Sequence, residues 1–353
     1  MKPDGPPLLR VDEIHVAYPG RTRFLRRAPE PIRAVNGVSF DLAPRRTFGL
    51  VGESGSGKST LARALLQLVP TTAGRIELDG VDVTNVSRRD MRAYRRRVQA
   101  VLQDPYSSLN QAHDVSVIVG DPITVHRGVR RGRERDELVV ELLSHVGLPA
   151  DFIHRYPAHM SGGQRQRVSL ARALAVRPEL IIADEATSAL DVSIQSQVLN
   201  LLRRVQRDDG VALLVIAHDL EVVRHMSDDV GVMYLGALVE RGAADDLYRG
   251  PTHPYTAMLI ASIPAPDPTE QAERRATRRR VTLDVEPPSP AALPPGCAFA
   301  NRCPLAMDIC RSEPPPDVTA WHGGTVRCHA HLTGPTLGGA DVSAHLTLAT
   351  ARP

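Results

Sequence analysis

The chain has 353 residues, of which 42% are apolar and 24% charged, and its formal net charge is +3. That length accommodates about two domains, and the apolar share supplies a full core for an ordinary soluble globular protein. No stretch approaches the roughly 18 consecutive apolar residues of a membrane-spanning helix, and the opening MKPDGPPLLR has no apolar run, so neither a span nor a secretory signal is expected.

In chain order, LLRVDEIHVAY (8–18) and VNGVSFDLAP (35–44) alternate apolar and polar residues and predict strands, with the Arg/Pro-rich insert 21–33 between them as a loop. TFGLVGESGSGKSTLARALLQL (47–68) passes from a buried strand through a Gly-rich turn into a helix. GRIELDGVDV (74–83) predicts a hairpin around Asp79-Gly80. From about 104 to 160 the character is helical and polar. Strand-like runs then return at ELIIAD (179–184), VALLVIAH (211–218) and DVGVMYLGALVERG (229–242), between helical stretches. Strands alternating with helices predict an α/β fold with a mainly parallel sheet. Pro-rich IPAPDP (263–268) and EPPSPAALPPG (286–296) bracket a linker, and all four cysteines lie beyond it. Arg clusters at 88–97, 127–135 and 273–280 are read as solvated helix faces and linkers, because a nucleic-acid footprint calls for interleaved aromatics and these are only 4% of the chain. Contact with lipid head groups or an acidic partner is the weaker alternative.

The sharpest motif is GESGSGKS (52–59), which fits G-x-x-x-x-G-K-[ST] and sits between a predicted strand and a predicted helix, as the motif requires. Gly52, Gly55 and Gly57 let the amides of Glu53, Ser54, Ser56 and their neighbours turn inward around phosphate oxygens. The helix N-terminus at Ser59 and Thr60 adds partial positive charge. Lys58 reaches the terminal phosphates as a mobile point charge, and the Ser59 hydroxyl suits Mg²⁺, a hard ion that takes oxygen ligands. The second half of the site is ELIIADEATSALD (179–191). Asp184, at a strand end, is placed to hold Mg²⁺, and Glu185 to act as general base on the attacking water. In MSGGQRQRVSLARAL (160–174), Ser161, Gly162, Gly163 and Gln164 open a further helix and form a second anion-binding device. One chain has no need of two phosphate cradles, whereas a dimer can use one from each subunit.

In this combination and order the chain resembles the ATP-binding cassette (ABC) ATPases over about residues 9–331. The resemblance implies a P-loop cassette with an antiparallel β subdomain and a helical subdomain at about 104–165. It implies that Tyr18 stacks on adenine, that Gln103 in LQDPYSSLN senses Mg²⁺ (alongside Ser59 and Asp184) and the membrane partner, that Ser188, Ala189, Leu190 and Asp191 form the D-loop, and that His218 contacts the γ-phosphate. ATP is then expected between Tyr18 and the 52–60 loop of one subunit and the 161–164 loop of the other, closing the dimer until hydrolysis reopens it. QDPYSSLN, RYPAHMSGGQRQRV, DEATSALDVSIQSQVLNLL, THPYTAMLIASIP and the cysteine tail resemble the oligopeptide/dipeptide (nickel) importer ATPases more narrowly, and GKSTLAR with SGGQRQR resembles the second subunit of a heterodimeric pair. The implied partners are another ABC ATPase subunit, two permease subunits and an extracytoplasmic substrate-binding protein acting through them. No nucleic acid is expected, and the implied location is the cytoplasmic face of the membrane. Met160 stands where Leu is common, and the Pro usual after Leu109-Asn110 is missing, which bears on the permease-facing surface.

The expected division is an ATPase domain at 1–262, a C-terminal extension at 263–335 and a flexible tail at 336–353. The cysteines are spaced C-x5-C-x6-C-x17-C, which matches neither a C-x2-C zinc ribbon nor the usual ferredoxin patterns. Read from the residues, a metal centre and inert buried thiols both remain open. The extension is poor in large apolar residues, which favours a cross-link by metal. The family resemblance implies a [4Fe–4S] cluster on Cys297, Cys303, Cys310 and Cys328, with Zn²⁺ as the alternative. A soluble ABC ATPase acting on nucleic acid ranks far lower, because the chain has one P-loop and no sustained heptads.

Overall fold

The computed structural model describes residues 5–19, 31–186, 191–264, 267–269, 271–272, 288–332 and 342. The expected loop at 21–33 lies almost wholly outside them, as do Ser188, Ala189, Leu190, the Arg cluster at 273–280 and, apart from Val342, the tail from 336. The first half of the chain runs β1 (Leu9–Tyr18), β2 (Ile32–Leu42), β3 (Thr47–Val51), α1 (Lys58–Leu65), β4 (Ala73–Leu78), β5 (Val81–Asp82), α2 (Met91–Arg97), β6 (Val98–Val101), α3 (Pro105–Ser108), α4 (Val115–Arg127), α5 (Arg133–His145) and α6 (Gly162–Leu174). It continues with β7 (Leu180–Asp184), α7 (Val192–Asp209), β8 (Ala212–Ala217), α8 (Leu220–Met226), β9 (Asp229–Tyr234), β10 (Ala237–Ala243), α9 (Ala244–Arg249), α10 (Pro254–Ala261), α11 (Ile309–Ser312), β11 (Asp317–Thr319) and β12 (Thr325–Arg327).

β1, β2, β4 and β5 make an antiparallel sheet in the order β2-β1-β4-β5. Its β4–β5 hairpin turns on Asp79 and Gly80, with φ of 54° and 73°. Both residues are left-handed, as a two-residue turn matched to strand twist demands. The main sheet runs β11-β12-β10-β9-β3-β8-β7-β6. Its β9-β3-β8-β7-β6 portion is parallel, and β3, β7 and β8 are buried at every position. Those strands read as unbroken apolar runs because both faces are covered. On one face, Phe48 of β3 stacks on Phe40 of the antiparallel sheet at 4.4 Å between ring centroids. On the other, α3 to α6 and two 3-10 turns at Ala150–His154 and Pro157–His159 form a helical layer cored by Val119, Ile123, Val139, Leu143 and Val168.

The segment beyond 288 is built onto this core. β12 pairs antiparallel with β10, Glu240 opposite Val326 and Arg241 opposite Thr325, and β11 follows at the sheet edge. Phe299, 1% exposed, plugs into Tyr234 and Tyr255, with centroids 5.4 Å from each. Buried Glu240 accepts hydrogen bonds from the Thr252 and His253 amides at 2.7 and 2.9 Å, capping the approach to α10, and pairs with His322 at 3.4 Å. Burial, with His331 nearby, pushes the His253 imidazole down to about 3, so it stays neutral and accepts the Tyr255 amide. A boundary at 262–263 therefore cuts through a shared sheet and a shared core. Sheet pairing and one aromatic plug supply the anchoring that composition withheld. Among the described residues no helix is long and apolar enough to cross a membrane.

Candidate nucleotide site

Parallel register sets the site. Val51 at the end of β3 lies opposite Ala217 of β8, Ile216 of β8 opposite Asp184 of β7, and Ala183 of β7 opposite Val101 of β6. The carboxyl ends of four neighbouring strands thus share one edge, where open α/β sheets bind ligands. The chain leaving them carries Gly52 to Ser59 after β3, His218 after β8, Glu185 after β7 and Gln103 two residues after β6.

The loop from Gly52 to Gly57 leads directly into α1. Gly55 and Gly57 have φ of 79° and 103°, and a Cβ on Gly57 would overlap the Ala34 carbonyl oxygen. Any other residue at Gly57 would force the loop away from β2. Ser54 and Gly55 are exposed at the tip, and Thr60 is half-buried in α1. The Ser56 carbonyl accepts the Gly236 amide at 2.9 Å. Lys58 is 4% exposed, and its ammonium donates to the carbonyls of Gly52 and Glu53 at 2.7 and 2.9 Å and to the Ser56 hydroxyl at 3.3 Å. Burial lowers its pKa, against the attraction of Glu185, Asp184 and Glu53. The result is a cation held by carbonyl dipoles beside carboxylates, which is suited to exchange those dipoles for phosphate oxygens.

Ser59 donates to Asp184 Oδ1 at 3.1 Å across 125 positions of sequence. The carboxyl of Asp184 is raised by burial, opposed by the Ser59 hydrogen bond and by Arg63 and Lys58. A hydroxyl and a carboxylate in contact are hard-oxygen donors of the type Mg²⁺ takes. The Gln103 amide nitrogen donates to Glu185 Oε2 at 2.8 Å, so β6 and β7 deliver the two side chains to one another. Glu185 has φ of 47°, a costly conformation for a non-glycine residue and one concentrated at functional positions. Its amide is tied to the Ile216 carbonyl at 2.9 Å. His218 is exposed at the same edge. Tyr18 ends β1 opposite Ile32 and packs, half-buried, on the core shared with α1.

Ser161 and Gln164 form a reciprocal capping box: Ser161 Oγ accepts the Gln164 amide and Gln164 Oε1 the Ser161 amide. The segment Ser161, Gly162, Gly163, Gln164 thereby opens α6 from the helical layer, and Gly163 abuts Ile194 of α7. Of the D-loop residues, Asp191 precedes α7 and is exposed.

Sequence reasoning did not anticipate the surroundings of Glu53. Its carboxylate receives both terminal nitrogens of Arg302, at 2.9 and 3.0 Å, and its amide donates to the Tyr255 hydroxyl at 2.9 Å. Arg302 is 4% exposed and also reaches the Tyr234 hydroxyl at 3.4 Å. The sequence signal was no more than an Arg next to a cysteine, Arg302-Cys303, in a Pro-rich tail.

The four thiols are free and lie in the segment beyond 288, Cys310 and Cys328 buried and Cys297 and Cys303 half-buried. Burial raises the Cys297 and Cys303 thiols and pushes Cys328 up to about 12. Nearby backbone amides pull the other way: those of Phe299 and Ala300 at Cys297, of Leu305 at Cys303 and of Ala330 at Cys328. Among the described residues no three His, Cys, Asp or Glu side chains stand as a group able to hold a metal ion. The structure thus lends no support to the four-cysteine ligand set that the resemblance implies.

The family described as ABC transporter matches residues 35–188, and the oligopeptide/dipeptide transporter C-terminal region matches residues 239–310. The probable peptide ABC transporter ATP-binding protein y4tS of Sinorhizobium fredii is 48% identical over 91% of this chain and 89% of its own length. This chain belongs to the ABC transporter ATP-binding proteins. The oligopeptide transport ATP-binding protein AppF of Bacillus subtilis is 44% identical over 92% of this chain and 97% of its own length. Among solved structures, the dimeric post-hydrolysis state of the ATP-binding cassette MJ0796 bound to ADP and Pi is 26% identical, with a TM-score of 0.59, covering 67% of this chain and 98% of that one. The structure of cbiO1 from Clostridium perfringens shares the fold, with a TM-score of 0.58. In this ABC ATPase the cassette match ends among the residues after Glu185, and the C-terminal match holds Tyr255 and Arg302, the two residues on Glu53.

Proposed function

We propose that this protein is the ATP-hydrolysing, energy-coupling subunit of an importer for peptides, working at the cytoplasmic face of the membrane. The observation that carries the reading is the meeting of Lys58, Ser59, Asp184, Glu185 and Gln103 at one sheet edge, with Ser59 on Asp184 at 3.1 Å and Gln103 on Glu185 at 2.8 Å. The peptide class rests on the names of its relatives and on the C-terminal match.

In this reading the amides of 52–60 and Lys58 bind the phosphates, and Tyr18 packs on adenine. Mg²⁺ would be held by Ser59 and Asp184 with Gln103 beside them, and when bound it neutralises charge on the phosphates. Glu185 takes the proton of the attacking water, oriented by the Gln103 amide, and His218 lies beside the γ-phosphate. Ser161 to Gln164 present the N-terminus of α6 to the nucleotide of a second ABC subunit, a heterologous one by the resemblance, with Ser188 to Asp191 at that junction. Two permeases and an extracytoplasmic binding protein complete the assembly. Uptake of labelled di- and oligopeptides by cells with and without the chain tests the assignment. Uptake that changes for nickel, glutathione or another small solute instead would move the substrate class and leave the ATPase reading standing.

We further propose, on the resemblance of the tail, that Cys297, Cys303, Cys310 and Cys328 hold a [4Fe–4S] cluster, or Zn²⁺. The support is the match of the C-terminal region to the oligopeptide/dipeptide transporter family and the presence of four free thiols in one segment of it and the residues just beyond. Iron, acid-labile sulfide and zinc content of anaerobically purified protein decides this, and a metal-free, folded chain would withdraw it.

A further inference from the structure

Glu53 joins the C-terminal region to the phosphate loop through all of its polar groups. Its carboxylate lies in the fork of Arg302, 249 positions away. Its amide is held by Tyr255. Its carbonyl accepts Lys58 Nζ at 2.9 Å and the Ser56 amide at 3.1 Å. A bidentate guanidinium–carboxylate contact fixes orientation as well as distance, and Arg302 is itself locked between Tyr234 and Phe299, with its Cζ 5.9 and 5.8 Å from their ring centroids. One of the two carbonyls that hold the phosphate-binding lysine is therefore set by residues of the C-terminal region.

We propose that Arg302 is a positioning residue for nucleotide binding, through which the C-terminal region sets the affinity of the phosphate loop. The proposal rests on the ATP-site reading above. A loop already held in its binding shape loses less conformational freedom when ligand arrives, and a binding-competent state that is only partly populated weakens apparent affinity by that fraction. Coupling of this kind is reciprocal: nucleotide on the loop must in turn stabilise the 297–303 segment around Arg302.

The test uses the full chain and a fluorescent ATP analogue with Mg²⁺, alongside ATP hydrolysis and hydrogen exchange of the 297–303 segment. Arg302→Ala is expected to bind about tenfold more weakly, within the usual range of couplings between sites, with the loss in KM rather than kcat. Arg302→Lys, which keeps the charge without the fork, falls between. Glu53→Gln removes the loop-side charge at a partly exposed position and carries the test if Arg302→Ala does not fold. The Glu53→Gln/Arg302→Ala double variant is expected to be no weaker than the worse single one. Nucleotide should slow exchange at 297–303 in the parent chain and not in Glu53→Gln. A purely structural ion pair would lower stability and leave folded variants with parental affinity. Binding within twofold of the parent in both single variants, while Lys58→Ala has lost binding, overturns the proposal alone. Failure of the parent chain to bind nucleotide overturns the ATP-site reading and this proposal with it.

Discussion

Replacing Glu185 by Gln separates binding from chemistry at this site. The side chain keeps its size and can still meet Gln103, whose amide now lies 2.8 Å from Glu185 Oε2. Two neighbours respond electrostatically. Glu185 raises the Asp184 carboxyl, so its neutralisation favours the ionised Asp184 that a divalent cation requires. Glu185 is also the foremost of the carboxylates that oppose the burial-driven lowering of Lys58, so its loss moves Lys58 slightly down, with Asp184 and Glu53 still holding it charged. These effects oppose one another and leave nucleotide affinity within a few-fold of the parent. Turnover loses the general base, an effect of roughly 10²- to 10⁴-fold, or about 3–5 kcal/mol of barrier. Equilibrium binding of Mg–ATP and single-turnover hydrolysis measure the two parts independently. Hydrolysis within threefold of the parent, with binding intact, would falsify the assignment of Glu185 as base.

Asp184→Asn should raise the melting temperature of the nucleotide-free chain at pH 7 while abolishing Mg²⁺-dependent turnover. Burial raises this carboxyl above its ordinary 3.8, so its neutral form favours the fold, and that contribution is complete below 3.8 and lost as pH rises through the folded value. The stabilising effect of Asn must therefore shrink as pH falls toward 4, and a gain independent of pH would contradict the cause given. Phe299→Ala, which empties a site between Tyr234 and Tyr255, should cost about 3–5 kcal/mol and expose the segment beyond 288 to protease before the core sheet. Glu240→Ala orphans the amides of Thr252 and His253 and should cost about 2–4 kcal/mol in urea unfolding; a loss under 1 kcal/mol would mean that water replaces the carboxylate. Lys58→Ala should lose nucleotide affinity itself, read in the same binding assay.

The composition, the apolar runs of β3, β7 and β8, and the loop GESGSGKS were enough to establish a parallel α/β core with a phosphate-binding turn. Each of those signals is local: burial on both faces dictates residue type along a strand, and backbone amides around phosphate need glycine at set offsets. The hairpin at Asp79-Gly80 was legible for the same reason. The contacts of Ser59 with Asp184 and of Gln103 with Glu185 depend on which strand ends lie side by side, and parallel register alone decides that. The extension shows the limit most clearly. Its cysteines and scarcity of large apolar residues pointed to a metal cross-link, but gave no sign of the strand pairing of β12 with β10, the Phe299 plug and the Arg302 fork that bind it to the core. A backbone edge that accepts another strand leaves almost no trace in composition, and an ion pair across 249 positions exists only once the sheet has brought its two ends together.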